Sequence, residues 1–143
     1  MLPLYRRERA FFPSVNERGG MMRVLICGDR EWCNRSVIMK VIQELKPKII
    51  IEGGCRGVDT LARECANILH IEVHEYRAEW QRFGRAAGPI RNKEMIEEGR
   101  PSLVVAFHNN LDKSSGTKNM VKQAKKYYIP VKLYNSKGEE REA

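Results

Sequence analysis

The chain has 143 residues and a formal net charge of +8, from 26 Lys and Arg against 18 Asp and Glu. That length suits one domain with a real core and leaves no room for two of ordinary size. The charge favours phosphates, nucleotides or nucleic acid over cationic partners and does not choose among them. Cys27, Cys33, Cys55 and Cys65 have no C-x-x-C spacing and stand apart from His70, His74 and His108, so no metal site is expected and no cofactor is predicted. Two of the cysteines fall in apolar stretches, as reduced buried thiols do. With no leader-like or membrane-length apolar run, a cytoplasmic location without membrane contact is expected.

In chain order, Met1 to Gly20 shows no sustained period and closes on Gly-Gly, so residues 1–22 read as an extension, either disordered or pinned to the body by Phe11 and Phe12. Arg23 to Cys27 is an apolar strand running into Gly28-Asp29-Arg30. A helix carrying Val37, Ile38, Val41, Ile42 and Leu45 on one face follows and stops before Pro47. The run from Ile49 ends in Gly53-Gly54-Cys55-Arg56-Gly57. Beyond it a helical face of Val58, Leu61, Ala62, Cys65 and Leu69 begins, with Asp59 placed as a helix cap or as one of the ligand-binding residues. Ile71 to Tyr76 is a third strand. The segment Arg77 to Gly88 reads as a long irregular loop, after which Pro89 opens a helix that ends near Gly99. Leu103 to Phe107 is a fourth strand, a polar loop leads to a helix from Gly116 to Tyr127, and Ile129 to Tyr134 closes the sheet. Residues 135–143 read as a polar, frayed tail, and no internal repeat is visible.

Strand and helix in alternation imply an α/β fold, with right-handed crossovers burying helices on both faces of a parallel sheet. The strands beginning at Arg23, Ile49 and Leu103 are continuously apolar, as central strands are, whereas those beginning at Ile71 and Ile129 alternate and belong at edges. Pro130 suits an edge for the same reason. The expected architecture over residues 23–134 is therefore a single Rossmann-like three-layer domain with a five-stranded parallel sheet of order 3-2-1-4-5. Ligands of such sheets bind where the strand order reverses, beyond the carboxyl ends of the strands. The loops Gly28 to Trp32, Gly53 to Asp59 and His108 to Thr117 converge there.

Those loops hold the candidate site. Gly53, Gly54 and Gly57 let a ligand approach the backbone at a helix start, where unpaired N–H groups favour an anion, and Arg56 adds a donor fork suited to phosphate. Taken alone, the same glycines also fit a plain strand-to-helix turn. Ser115, Gly116 and Thr117 open the last long helix as a second anion cradle or as an ordinary cap with its loop. Between Glu79 and Asn92, Trp80 and Phe83 interleave with Arg82, Arg85 and Arg91, a mixture that suits stacked bases and paired phosphates or, equally, a surface loop packed on the sheet. Trp32 reads as a lid over a base or as a core anchor. No G-x-S-x-G elbow, no paired carboxylates at helical spacing aimed at the cleft and no metal cluster is expected. Asp29, Glu52, Asp59 and Glu79 are the carboxylates near the site, and none is assigned a catalytic role.

Gly28-Asp29-Arg30, the turn Gly53 to Asp59, Ala87 to Asn92 and Ser115-Gly116-Thr117 together resemble the SLOG superfamily, in particular its small YspA-like branch. The resemblance covers about residues 23–134. It implies a nucleotide or nucleotide-derived ligand, ADP-ribose-like or a nucleoside phosphate, at the switch-point cleft, with Arg30, Arg91 and Asn92 orienting it and the chain acting as a sensor or as an enzyme of unassigned reaction. It also implies pairing of two copies, since relatives often pair. The DNA-processing A proteins, which bind single-stranded DNA, share the glycine–arginine turn and the arginine–asparagine pair. The LOG-type phosphoribohydrolases share the glycine–threonine helix start but carry a glutamate four residues beyond that glycine, where this chain has Met120.

Overall fold

In the computed structural model, which describes residues 22–143, alternate residues of each central strand feed two separate cores. The strands are β1 (Arg23–Gly28), β2 (Ile49–Glu52), β3 (Glu72–Glu75), β4 (Leu103–Phe107) and β5 (Val131–Tyr134), closed by a two-residue β6 (Glu140–Arg141). The main helices are α1 (Arg35–Leu45), α2 (Val58–Ile68), the single turn α3 (Trp80–Phe83), α4 (Ala87–Glu97) and α5 (Ser115–Lys126). Val24, Ile26, Ile50 and Val105 pack beneath α1 and α2, while Leu25, Ile51, Val104 and Ala106 pack beneath α4 and α5. This is what the period-2 direction of side chains in a strand requires when helices cover both faces. Of the N-terminal extension only Met22 is described. It is buried, and its carbonyl accepts from Lys48 N–H at 2.9 Å. The remainder, with Phe11 and Phe12, lies outside the described residues.

The sheet order is β3-β2-β1-β4-β5-β6. The first five strands are parallel and run in the expected order, with β3 at one edge. The strand count is corrected, because residues expected to fray fold back as β6, antiparallel to β5, and the sheet is mixed. The reversal is built by Asn135, whose side-chain oxygen accepts from Lys137 and Glu139 N–H at 3.0 Å, together with Gly138 at φ 81°. An Asx turn of this kind satisfies the backbone locally and leaves only two residues to pair. A second correction concerns the segment before Pro89. Trp80–Phe83 and a 3-10 turn at Gly84–Ala86 lead directly into α4, which starts at Ala87.

The helix C-termini carry unusual strain. Lys46, His70, Arg100 and Tyr128, which follow α1, α2, α4 and α5, all have φ between 51° and 60°, a conformation that costs a residue with a Cβ about 1–2 kcal/mol. The expected terminal glycine of α4, Gly99, is not the left-handed residue. A Cβ there would lie 2.2 Å from the Met95 carbonyl oxygen, so its role is close packing. His70 and Tyr128 are exposed. His70→Gly and Tyr128→Gly each release that strain against about 0.5–1 kcal/mol of added unfolded-state entropy. Each is therefore expected to raise the urea-unfolding free energy by about 0.5–1 kcal/mol.

Candidate functional site

The carboxyl ends of β1, β2 and β4 open on a cleft of about 790 Å³. Gly28 lets β1 and β4 end side by side, since a Cβ there would stand 2.3 Å from the Phe107 carbonyl oxygen. The next backbone unit is a hub. Asp29 N–H donates to the Phe107 carbonyl at 3.0 Å, and the Asp29 carbonyl accepts from Trp32 at 3.2 Å and from Val58 at 3.1 Å, which fixes where α2 begins. Gly28, Asp29 and Arg30 line the cleft. Trp32 does not: it is buried edge-on against Phe107 with ring centroids 5.7 Å apart, and its indole N–H donates to the Asn34 carbonyl. Of its two readings, the core anchor describes its position.

The glycine turn after β2 is organised from within by carboxylates. Gly54 N–H donates to Glu52 Oε1 at 2.6 Å, Cys55 N–H donates to Asp59 Oδ2 at 3.1 Å, and Thr60 Oγ1 donates to the Cys55 carbonyl at 2.8 Å. Asp59 therefore reaches back to hold the turn, and the N-cap of α2 is Gly57, a correction to its expected place as cap. Arg56 and Asp59 line the cleft, whereas Gly53, Gly54 and Gly57 form the support behind it. Exposed Arg56 pairs with Glu31 at 2.5 Å, joining the first two loops at the mouth.

Burial shapes the charge here. It pushes Asp59 up to about 6, against the pull of the Cys55 amide and then of Arg91. Glu52 is fully buried, and burial pushes it up to about 8, opposed by the Gly54 amide and reinforced by Asp59 and Glu75. Its neighbour Glu75 sits below the usual carboxylate range: burial would raise it, but the Glu52 hydrogen bond and the charges of Arg77 and Arg63 outweigh that. The Cys27 thiol, also at the cleft, is pushed far up by burial and then by Asp59, which leaves it an un-ionised filler.

Two adjacent residues of α4 tie the cleft walls together. Arg91 is buried, and its Nη1 donates to the Gly53 carbonyl at 2.6 Å and to the Tyr76 carbonyl at 3.5 Å, while its Nε donates to Asn92 Oδ1 at 3.1 Å. Asn92 Nδ2 in turn donates to the Gly116 carbonyl at 3.2 Å and to Asn119 Oδ1 at 3.0 Å. The pair thus spans from the β2 turn to the start of α5, and both residues face the cleft. Asn119, Lys113 and Glu31 also line it and were not picked out from the sequence. A polar residue two positions beyond Thr117 and a cation just before the helix cap are the signals that could have found the first two.

The opposite wall is the first turn of α5. Ser114 Oγ caps it by accepting from Thr117 N–H at 3.0 Å. Ser115 and Gly116 are exposed, and a Cβ at Gly116 would meet nothing within 4 Å. Thr117 is 96% buried yet lines the cleft, and its hydroxyl forms no hydrogen bond among the described residues. At the mouth, Trp80 is 47% exposed with the Arg30 guanidinium 5.9 Å from its ring centroid, and Arg85 stands nearby on the rim. Arg82 and Phe83 pack on each other at 4.7 Å and lie outside the cleft.

Comparison with known proteins adds a lineage to this geometry. Residues 22–83, from the start of β1 through α3, match the model of the YspA, cpYpsA-related SLOG family. The chain is also similar to the Gene 61 protein of Mycobacterium phage D29, 31% identical over 127 residues that span 82% of this chain and 99% of the phage protein. No solved structure matches. The β1 loop, the glycine turn and Trp80 all fall in the matched stretch, and the chain belongs to the YspA-like branch of the SLOG superfamily.

Proposed function

We propose that the cleft binds a nucleotide or a nucleotide-derived ligand, ADP-ribose-like or a nucleoside phosphate, and that the chain acts as a sensor or as an enzyme of unassigned reaction. The observation that carries this reading is the first turn of α5: an open backbone at Ser115 and Gly116, with the Thr117 hydroxyl making no hydrogen bond among the described residues, facing a cleft rimmed by Arg30, Arg56 and Arg85. Unpaired N–H groups at a helix start, a hydroxyl and nearby guanidinium groups are the donor set a phosphate takes. Trp80 and Arg30 offer a face for a base at the mouth. The cleft volume suits a small molecule of this size. Membership of the SLOG superfamily supports a nucleotide-related ligand. Met120, fully buried at the cleft, stands where the LOG-type hydrolases have a glutamate and cannot carry a proton, so release of a base from a nucleoside monophosphate is not supported.

The test is thermal unfolding with AMP, ADP-ribose and other nucleotides. A ligand at a hundred times its dissociation constant should add about 2.7 kcal/mol, a rise of roughly 8 °C for a chain of this size. No rise with any of them would sink the reading.

A second reading rests on a separate observation: half-exposed Trp80 and exposed Arg82 and Arg85 sit together on the short helical segment between β3 and α4. That surface fits single-stranded nucleic acid, as in the DNA-processing A proteins. Binding of an oligonucleotide should then fall steeply with salt and weaken by about 1–3 kcal/mol in Trp80→Ala. Binding that ignores both changes removes this alternative. No helix among the described residues is long and apolar enough to cross a membrane.

A further inference from the structure

The two walls of the cleft have opposite hydrogen-bonding character. The α5 wall offers donors: the exposed first turn and the Thr117 hydroxyl, unpaired among the described residues. The β2 wall offers an acceptor. The Asp59 side chain is 93% buried, lines the cleft, and forms no ion pair among the described residues. Its neighbour Arg91 is committed to the Gly53 and Tyr76 carbonyls and to Asn92, and acts on Asp59 only through space. Two of the amides that could have joined an anion cradle here are already held, Gly54 by Glu52 and Cys55 by Asp59. A phosphate brought to this wall would face Asp59 with Glu52 and Glu75 behind it, three acidic groups within one turn of chain and its neighbouring strand. A neutral group that donates hydrogen bonds meets no such opposition, and a buried carboxylate with no cation in direct contact gains from it.

We infer that Asp59 is the specificity-determining residue of the cleft and reads the vicinal hydroxyls of a ribose, so that the ligand is a ribonucleotide rather than a deoxyribonucleotide. This rests on the nucleotide reading above. In a nucleotide the sugar lies between phosphate and base. With phosphate on the α5 turn and the base against half-exposed Trp80 at the mouth, the sugar falls on the buried floor, where Asp59 stands. The polarity is also opposite to that expected from the glycine turn alone, since the turn holds a carboxylate toward the ligand instead of an amide nest.

Calorimetric titration of the full chain with AMP, 2′-deoxy-AMP and ADP-ribose tests this. Wild type should bind AMP roughly tenfold or more tighter than 2′-deoxy-AMP, the effect of one hydroxyl donating to a charged acceptor. In Asp59→Asn, whose amide oxygen still accepts from Cys55, the two affinities should come together. Equal affinities in wild type, or a preference retained in Asp59→Asn, overturn the assignment of Asp59 and leave the nucleotide reading standing. A wild-type chain that binds none of the three overturns the nucleotide reading and this inference with it. The wild-type comparison needs no variant to fold.

Discussion

Arg91→Ala is expected to lower the unfolding free energy by about 3–5 kcal/mol, the range for removing one member of a buried charge cluster, and to abolish the proposed nucleotide binding. Two losses combine. The Gly53 carbonyl, buried and bonded to Nη1 at 2.6 Å, loses its donor, and Asp59 loses the positive charge that offsets part of its burial. Asn92 also loses the Nε donor that fixes its amide toward Gly116 and Asn119, so the β2 turn and the α5 turn are no longer tied to one another. Because part of the cost is an uncompensated carboxylate, Asp59→Asn should recover some of it, and the double variant should be more stable than the sum of the two singles predicts. Lysine at 91 keeps the charge but cannot serve Gly53 and Asn92 from one planar fork, so Arg91→Lys should fall between. Urea unfolding of the wild type and the four variants measures all of this. Strict additivity of Arg91→Ala and Asp59→Asn would show that the two side chains do not interact.

The parts of the fold legible in the sequence were those written as periodicity. The continuous apolar runs of β1, β2 and β4 and the alternation of Ile71–Glu75 were enough to order five parallel strands, because coverage on both faces leaves a mark on every residue. β6 leaves no such mark. Two exposed residues pair only because the Asn135–Gly138 reversal delivers them, and a turn of that kind is read from side-chain hydrogen bonds rather than hydrophobic pattern. At the site, the sequence placed Gly28, Arg56 and Thr117 around one cleft, because topology alone brings those loops together, and the family resemblance added Arg91 and Asn92. It did not show direction. Glycines at a helix start favour an amide cradle, but whether the amides face a ligand or the chain's own carboxylates depends on where Glu52 and Asp59 turn, and both orientations share one sequence pattern. Trp32 was likewise ambiguous, since an indole beside a Gly-Asp-Arg loop reaches either the cleft or the core, and only the place of Phe107 across the sheet decides.

Glu52→Gln is expected to stabilise the protein, and to do so only as the pH rises. Glu52 Oε2 is fully buried without a hydrogen-bond donor, and Glu75, beside it in the parallel register, presents a carboxylate. Two ionised carboxylates offer no donor to each other, so the pair is satisfied only when Glu52 carries the proton and donates it to Glu75, with Arg63 and Arg77 holding the Glu75 charge. The pKa of Glu52 is raised in the folded chain, from 4.5 to about 8. The stability this proton supplies is therefore complete below pH 4.5 and is lost as the pH climbs toward 8, at up to about 1.4 kcal/mol per unit. Glutamine keeps an oxygen for Gly54 N–H and an amide donor for Glu75 at every pH. The variant should match wild type near pH 4 and exceed it by on the order of 3 kcal/mol at pH 8, the coupling to Glu75 returning part of the full shift. Asp59→Asn provides the contrast, because Asp59 rises only from 3.8 to about 6 and its difference from wild type should level off two pH units earlier. A Glu52→Gln difference that stays flat from pH 5 to pH 8 in urea unfolding would mean that the folded chain holds both carboxylates ionised, and the shared proton would have to be abandoned as the support of the β2 turn.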